Sequence, residues 1–270
     1  MPLIQKGKNN ILPLLVYVSL ILLFPIQAIS DEDLPWSYAS IEAYSRVYSR
    51  LTEALNRKQF TLGNPIFIRI FKQTNELEVW LGTHNNSYRL FKTYIICYKS
   101  GLLGPKTMEG DRQSPEGFYR IGADQMNPWS KYHLAFNLGY PNEYDLLHQR
   151  TGSALMIHGR CSSVGCYAMT DYFMDEIYSL ADAALAHGQI TFQVHIFPFR
   201  LTDKNLSDFE GSRWLPFWKN LKQGYDIFER NRVPPLVTVE NERYVFSLQN
   251  KTSFTHYSDT PRPAASYVGN

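Results

Sequence analysis

The chain has 270 residues, 44% of them apolar and 14% aromatic, which is ample for a packed core and suits one main domain with an appendage. Lys and Arg total 27 against 25 Asp and Glu, and Lys6 and Lys8 fall in the first thirty residues, so the remainder balances at 25 of each sign. A near-neutral chain without a concentrated basic face excludes a nucleic-acid partner.

Lys6 and Lys8 precede an apolar run from Ile11 to Phe24 and the small-x-small triplet Ala28-Ile29-Ser30. That is the architecture of a cleaved export signal over residues 1–30. Pro13 and Pro25 bracket a stretch short of the roughly 20 apolar residues a spanning helix needs. An uncleaved amino-terminal anchor is the rival reading, and only that form would tie the protein to a membrane. Either way the remainder is exported. It carries three cysteines, Cys97, Cys161 and Cys166, an odd number that leaves at least one thiol free in an oxidising compartment.

Residues 31–62 read as an amphipathic helical segment. Ile41, Tyr44, Tyr48, Leu51 and Leu55 recur every three or four positions, predicting a helix from about Ser37 to Lys58. Ile66, Ile68 and Ile70 alternate with Phe67, Arg69 and Phe71, and Leu77, Val79 and Leu81 follow a turn at Thr74-Asn75, predicting a hairpin. Phe91, Thr93, Ile95 and Cys97 are expected on one strand face, making Cys97 a buried apolar side chain. Ser114-Pro115-Glu116-Gly117 is turn chemistry before a strand at 118–121. A short apolar strand, Ala154–Ile157, delivers His158. A helix over about Thr170–Ala186 and a strand through Ile190, Phe192, Val194 and Ile196 complete the 63–200 region. Residues 201–270 read as an appendage: a helix over about Ser207–Arg230, a last strand or hairpin over Leu236–Phe246, and a loose tail. The fold class expected is a mainly β core with flanking helices, α+β overall.

The chemistry concentrates in Met156-Ile157-His158-Gly159-Arg160-Cys161-Ser162-Ser163-Val164-Gly165-Cys166-Tyr167. A thiol attacks a carbonyl as the thiolate, and an imidazolium partner both lowers the thiol's pKa and later supplies the proton for the leaving amine, so a thiolate–imidazolium pair is expected. His158 and Cys166 are eight residues apart, joined by a loop with two glycines that can fold back to bring them together. Gly165 permits a tight turn, and the amides of Gly165 and Cys166 are candidate oxyanion donors. The positive end of the helix opening near Thr170 would favour the thiolate. Two other readings stay open on spacing alone. His158, Cys161 and Cys166 could ligate a metal, although no fourth ligand is evident and the spacing matches no common zinc pattern. A Cys161–Cys166 disulfide would be an oxidised off-state.

His-Gly followed by Ser-x-Gly-Cys resembles the catalytic motif of the YkuD family, the L,D-transpeptidase catalytic domain. The resemblance extends through Ser114-Pro115-Glu116-Gly117-Phe118-Tyr119 and Tyr140-Pro141-Asn142-Glu143-Tyr144-Asp145. Phe67-Ile68-Arg69-Ile70-Phe71-Lys72, Ser100-Gly101-Leu102-Leu103-Gly104-Pro105-Lys106, Ile196-Phe197-Pro198-Phe199-Arg200 and Phe217-Trp218-Lys219-Asn220-Leu221-Lys222 are similar to a YafK-like branch of it. The resemblance implies a β-sandwich-like core, no metal or cofactor, and peptidoglycan stem peptides as substrate in a Gram-negative-type periplasm. It implies Cys166 as nucleophile and His158 as base, with Ser163, Gly165 and Gly159 shaping the loop and oxyanion site. Tyr167 is a candidate substrate contact.

Two departures stand out. The family commonly has Arg two residues after the nucleophile, where this chain has Ala168, and its His-to-Cys interval is longer. Arg160 is therefore a candidate to grip a substrate carboxylate, for which a guanidinium fork is suited. Three functions follow: a transpeptidase passing a thioester at the meso-diaminopimelate/D-amino-acid region to an amine; a hydrolytic amidase cutting a meso-diaminopimelate–protein bond, such as one to a wall-linked lipoprotein; and a non-catalytic wall-binding module.

Overall fold

A computed structural model describes residues 34–248. The expected export signal and the tail beyond 248 lie outside the described residues. Among the described residues, no helix is long and apolar enough to cross a membrane.

Helix α1 (Tyr38–Arg57) starts at Ser37, whose hydroxyl accepts from the Ser40 amide while Ser40 reciprocates. Its buried stripe is Ala43, Val47, Leu51 and Leu55, not the predicted face through Ile41, Tyr44 and Tyr48. The stripe turns toward small residues, which let α1 approach α3 (Asp171–Ala186), while Tyr44 and Tyr48 pair on its flank with ring centroids 5.3 Å apart. Arg46–Asp175 and Arg50–Glu176 ion pairs fasten the two helices.

Strands β1 (Ile66–Phe71) and β2 (Glu76–Gly82) form the predicted hairpin, with Asn75 in the left-handed region at its turn. With β3 (Tyr88–Ile95), β5 (Gly117–Gly122) and β10 (Thr191–Phe197) they make a sheet of order β3-β2-β1-β10-β5, in which β1 and β10 run parallel. Every β1 residue is buried, as expected of a strand covered on both faces. Ile66, Ile68 and Ile70 join the core under α1 and α3, and Phe67 and Phe71 pack with Phe228 and Tyr225 of α5 (Leu215–Asn231) on the other face.

A second sheet, β4 (Tyr98–Lys99), β9 (Tyr167–Ala168), β8 (Met156–His158), β7 (Ala135–Asn137) and β6 (Met126–Asn127), lies in that order. Ile157, Phe136 and Tyr167 from this sheet share one core with Ile68, Val194 and Tyr119 from the first. Twelve strands and five helices among the described residues give the expected α+β class with substantial β content.

Two element predictions are corrected. The β2–β3 register shifts between Val79 and Trp80, so Phe91 is an extra residue and the alternation beyond it inverts. Tyr94 and Ile96 are consequently buried, Ile95 is exposed, and Cys97 lies past the strand. The helix expected over 207–230 is two, α4 (Asp203–Ser207) and α5, because Pro216 is tolerated only in a first turn. Leu236–Phe246 is a hairpin of β11 (Leu236–Glu240) and β12 (Arg243–Ser247).

Candidate active site

His158 ends β8 and Cys166 immediately precedes β9. The two strands are parallel neighbours, with Ile157 opposite Tyr167 and His158 opposite Ala168. Parallel neighbours ordinarily need a long crossover. Here the strands are so short that eight loop residues, 159–166, bring the chain back. Cys166 then lies beside Met156, whose amide donates to Sγ at 3.3 Å, and both His158 and Cys166 line one cleft of about 550 Å³.

The loop is tied down at almost every residue. Gly159 packs where a Cβ would come within 2.7 Å of Asp171 Oδ1 and 2.8 Å of His133 Cβ. The Arg160 amide donates to Asp171 Oδ1 at 2.7 Å, so the first turn of α3 is engaged by the outer loop. Ser163 Oγ donates to the Cys166 carbonyl at 2.9 Å, and Gly165 turns with φ +96°, a conformation that favours glycine. The Gly165 amide donates to Ser100 Oγ at 2.7 Å. That bond withdraws Gly165 from the expected pair of oxyanion donors.

Cys161 is bonded to Cys97, with Cα atoms 5.3 Å apart, and Cys166 is the free thiol. This overturns Cys97 as a buried apolar side chain. It also removes both the Cys161–Cys166 disulfide and the His158/Cys161/Cys166 metal set, since Cys161 has no thiolate to offer. The oxidised pair staples the nucleophile loop to the end of β3.

His158 is buried, and its Nδ1 lies 2.5 Å from the Gly159 carbonyl oxygen. A carbonyl only accepts, so Nδ1 carries the proton and Nε2 is left as the base. Tyr132 packs on the imidazole with centroids 4.9 Å apart. Burial lowers the His158 pKa, against the Gly159 bond, and burial pushes the Cys166 thiol up, against the Met156 amide, Ser163 and Lys106. Both directions favour the uncharged forms over the expected thiolate–imidazolium pair.

Tyr167 is not a substrate contact. It is wholly buried and donates its hydroxyl to the Pro115 carbonyl at 2.7 Å, because strand alternation sends it to the face opposite Cys166. Arg160 is exposed and is not among the residues lining the cleft. Ala168 is buried in register with His158 and so offers no grip on a substrate. Sequence reasoning missed Ser100, Tyr132 and the wall formed by Trp129 and Lys131. An exposed Trp in a Pro- and Ser-containing turn, Asn127-Pro128-Trp129-Ser130, was the available signal for that wall.

A free thiol, an imidazole held in one tautomer and an open cleft are the parts of a nucleophilic acyl-transfer enzyme. Residues 67–196 match the model of the YkuD family, the L,D-transpeptidase catalytic domain. The proteins named "Putative L,D-transpeptidase YafK" from Escherichia coli strain K12 and from Escherichia coli O157:H7 are each 44% identical over 211 residues, covering 78% of this chain and 84% of the relative. The chain belongs to the L,D-transpeptidase (YkuD) family. Among solved structures, the helical cell shape determining protein Pgp2 (K307A mutant) from Campylobacter jejuni aligns with a TM-score of 0.42 at 22% identity, over 62% of this chain and 56% of that one.

Proposed function

We propose that this protein is an exported, periplasmic peptidoglycan transpeptidase in which Cys166 is acylated by a stem peptide at its meso-diaminopimelate/D-amino-acid region. The observation that carries the reading is the shared cleft: Cys166 and His158 line one space, with His158 Nδ1 held by the Gly159 carbonyl and Nε2 left as the base. His158 Nε2 takes the thiol proton as Sγ attacks the carbonyl carbon. The oxyanion is stabilised by backbone donors, among which the Cys166 amide is the candidate left once Gly165 is engaged by Ser100. Collapse breaks the C–N bond, His158 returns the proton to the leaving amine, and a thioester remains on Cys166. An incoming amine, from another stem peptide or a protein lysine, then attacks the thioester and restores the thiol. The chemistry uses no cofactor.

Hydrolysis is the second reading. Ala168 in place of the family's arginine favours it, because a changed grip on the substrate alters which nucleophile is admitted second. The enzyme would then cut a meso-diaminopimelate–protein amide, as in a wall-linked lipoprotein.

Purified protein and a Cys166→Ala variant, each incubated with muropeptides with and without lipoprotein-linked material, distinguish these by mass spectrometry of the products. New cross-links from the unaltered protein alone are expected. Released peptide without cross-links would replace transpeptidation by hydrolysis. Products unchanged by Cys166→Ala would leave only a wall-binding role.

A further inference from the structure

Resting on this reading, we propose that the 128–132 segment is the recognition wall for the acyl donor, with Lys131 gripping a free carboxylate of the stem peptide. Trp129 packs against the aliphatic chain between that carboxylate and the reacting carbonyl. Among the residues lining the cleft, Lys131 is the one permanent charge, and no Asp or Glu is present. The cleft is therefore built for an anionic substrate.

Lys131 is also available. It makes no ion pair within the described protein, whereas Lys106, the cation that acts on the thiol, is spent on Asp111 at 2.7 Å and the Met108 carbonyl at 2.8 Å. Ala168 is buried in the place of the family's arginine, and neither it nor Arg160 lines the cleft. Lys131 does.

The wall is preorganised. At its start the Pro128 carbonyl accepts from Ser37 Oγ at 2.8 Å, so the cap of α1 holds it. The Trp129 amide donates to Asn127 Oδ1 at 3.2 Å and the Tyr132 amide to Ser130 Oγ at 3.0 Å, fixing two turns. At its far end Tyr132 packs on His158 and His133 Nε2 lies 2.5 Å from Asp175 Oδ1. Between these anchors Trp129 is 67% exposed beside the cleft, a large apolar surface left mostly uncovered by the described residues. A rigid loop that offers one unpaired ammonium and one uncovered aromatic face matches a substrate with a carboxylate at the end of an alkyl chain.

The test is steady-state kinetics of the full chain on two stem peptides, one with the free diaminopimelate carboxylate and one amidated there. The unaltered protein is expected to show a KM about tenfold lower for the free acid, the scale of a charge-assisted contact at a half-open site. Lys131→Gln should erase that preference while changing kcat by less than about twofold, and Lys131→Arg should restore most of it. Trp129→Ala should raise KM for both peptides alike. A Lys131→Gln enzyme that kept the full preference, or that lost kcat on both peptides equally, would overturn the assignment while leaving the proposed function standing. Absence of Cys166-dependent turnover on either peptide would instead remove the function and the wall together.

Discussion

At the scale of single residues, the nucleophile is set by a contest between burial and hydrogen bonding. Cys166 is half-buried, and the Met156 amide at 3.3 Å does not offset the loss of water around the sulfur. His158 suffers the same loss with the opposite sign for its proton, since its charged form is the protonated one. Both shifts favour the neutral forms, so the thiolate is expected to form as the proton moves to Nε2. In the free enzyme, alkylation of Cys166 by iodoacetamide should follow a midpoint at or above the ordinary thiol value of about 8.5. The acid limb of turnover should lie below the ordinary histidine value of about 6.5, because His158 must be neutral to act. His158→Ala should leave the alkylation midpoint nearly in place and cut turnover about 10³-fold. An alkylation midpoint well below pH 8 that rose in His158→Ala would show that the pair is ionised at rest after all.

At the scale of elements, the loop between β8 and β9 owes its shape to the Cys97–Cys161 staple and a ring of hydrogen bonds. The bond closes a loop of sequence separation 64, for which chain entropy alone gives about 4 kcal/mol. Replacing both cysteines by Ser should cost stability of about that order, read from denaturant unfolding. It should also slow turnover more than the stability loss accounts for, while Cys166 still alkylates; activity equal to the unaltered protein would mean that Ser163, Ser100 and Asp171 hold the loop without it. The motif itself was plain in the sequence because His158, Gly165 and Cys166 lie within nine residues of each other, and the hairpin and α3 followed from alternation and caps. What could not be read depended on partners distant in the chain. The bulge at Phe91 displaced Cys97 from the face that alternation gave it, and its disulfide partner lies in another sheet's loop. The stripe of α1 was missed because contact with α3 favours Ala43 and Val47 over the bulkier Tyr44 and Tyr48. Lys131 and Trp129 carry no periodic signal, and only the fold brings them to the thiol.

At the scale of the whole molecule, the carboxy-terminal segment closes the second face of the central sheet, and the motifs scattered along the chain meet there. Lys72 Nζ donates to the carbonyls of Gly104 at 2.6 Å and Ser114 at 2.9 Å and pairs with Glu116 at 3.0 Å, all fully buried. Burial pulls the Lys72 pKa down and Glu116 opposes it. Trp218 of α5 completes the cluster, its indole N–H donating to Glu116 Oε2 at 2.8 Å. Arg69 is likewise buried between Glu78 at 3.1 Å and Glu229 of α5 at 2.7 Å. The link runs on to the site, since Ser114 Oγ lies 3.4 Å from the Cys166 carbonyl oxygen and accepts from the Ser100 amide at 3.3 Å. An appendage would be dispensable for folding; a layer that satisfies buried charges would not. Trp218→Phe keeps an aromatic side chain but loses the donor to Glu116 and part of the buried indole volume, so it should cost at least about 1–3 kcal/mol. Trp218→Ala adds a cavity and should cost about 3–5 kcal/mol. A chain ending at Arg213 uncovers Phe67, Arg69 and Phe71 together and should not unfold cooperatively at all. Calorimetry decides the matter: a truncated chain with a sharp transition near the melting temperature of the full chain, still turning over substrate, would show that residues 63–200 stand alone.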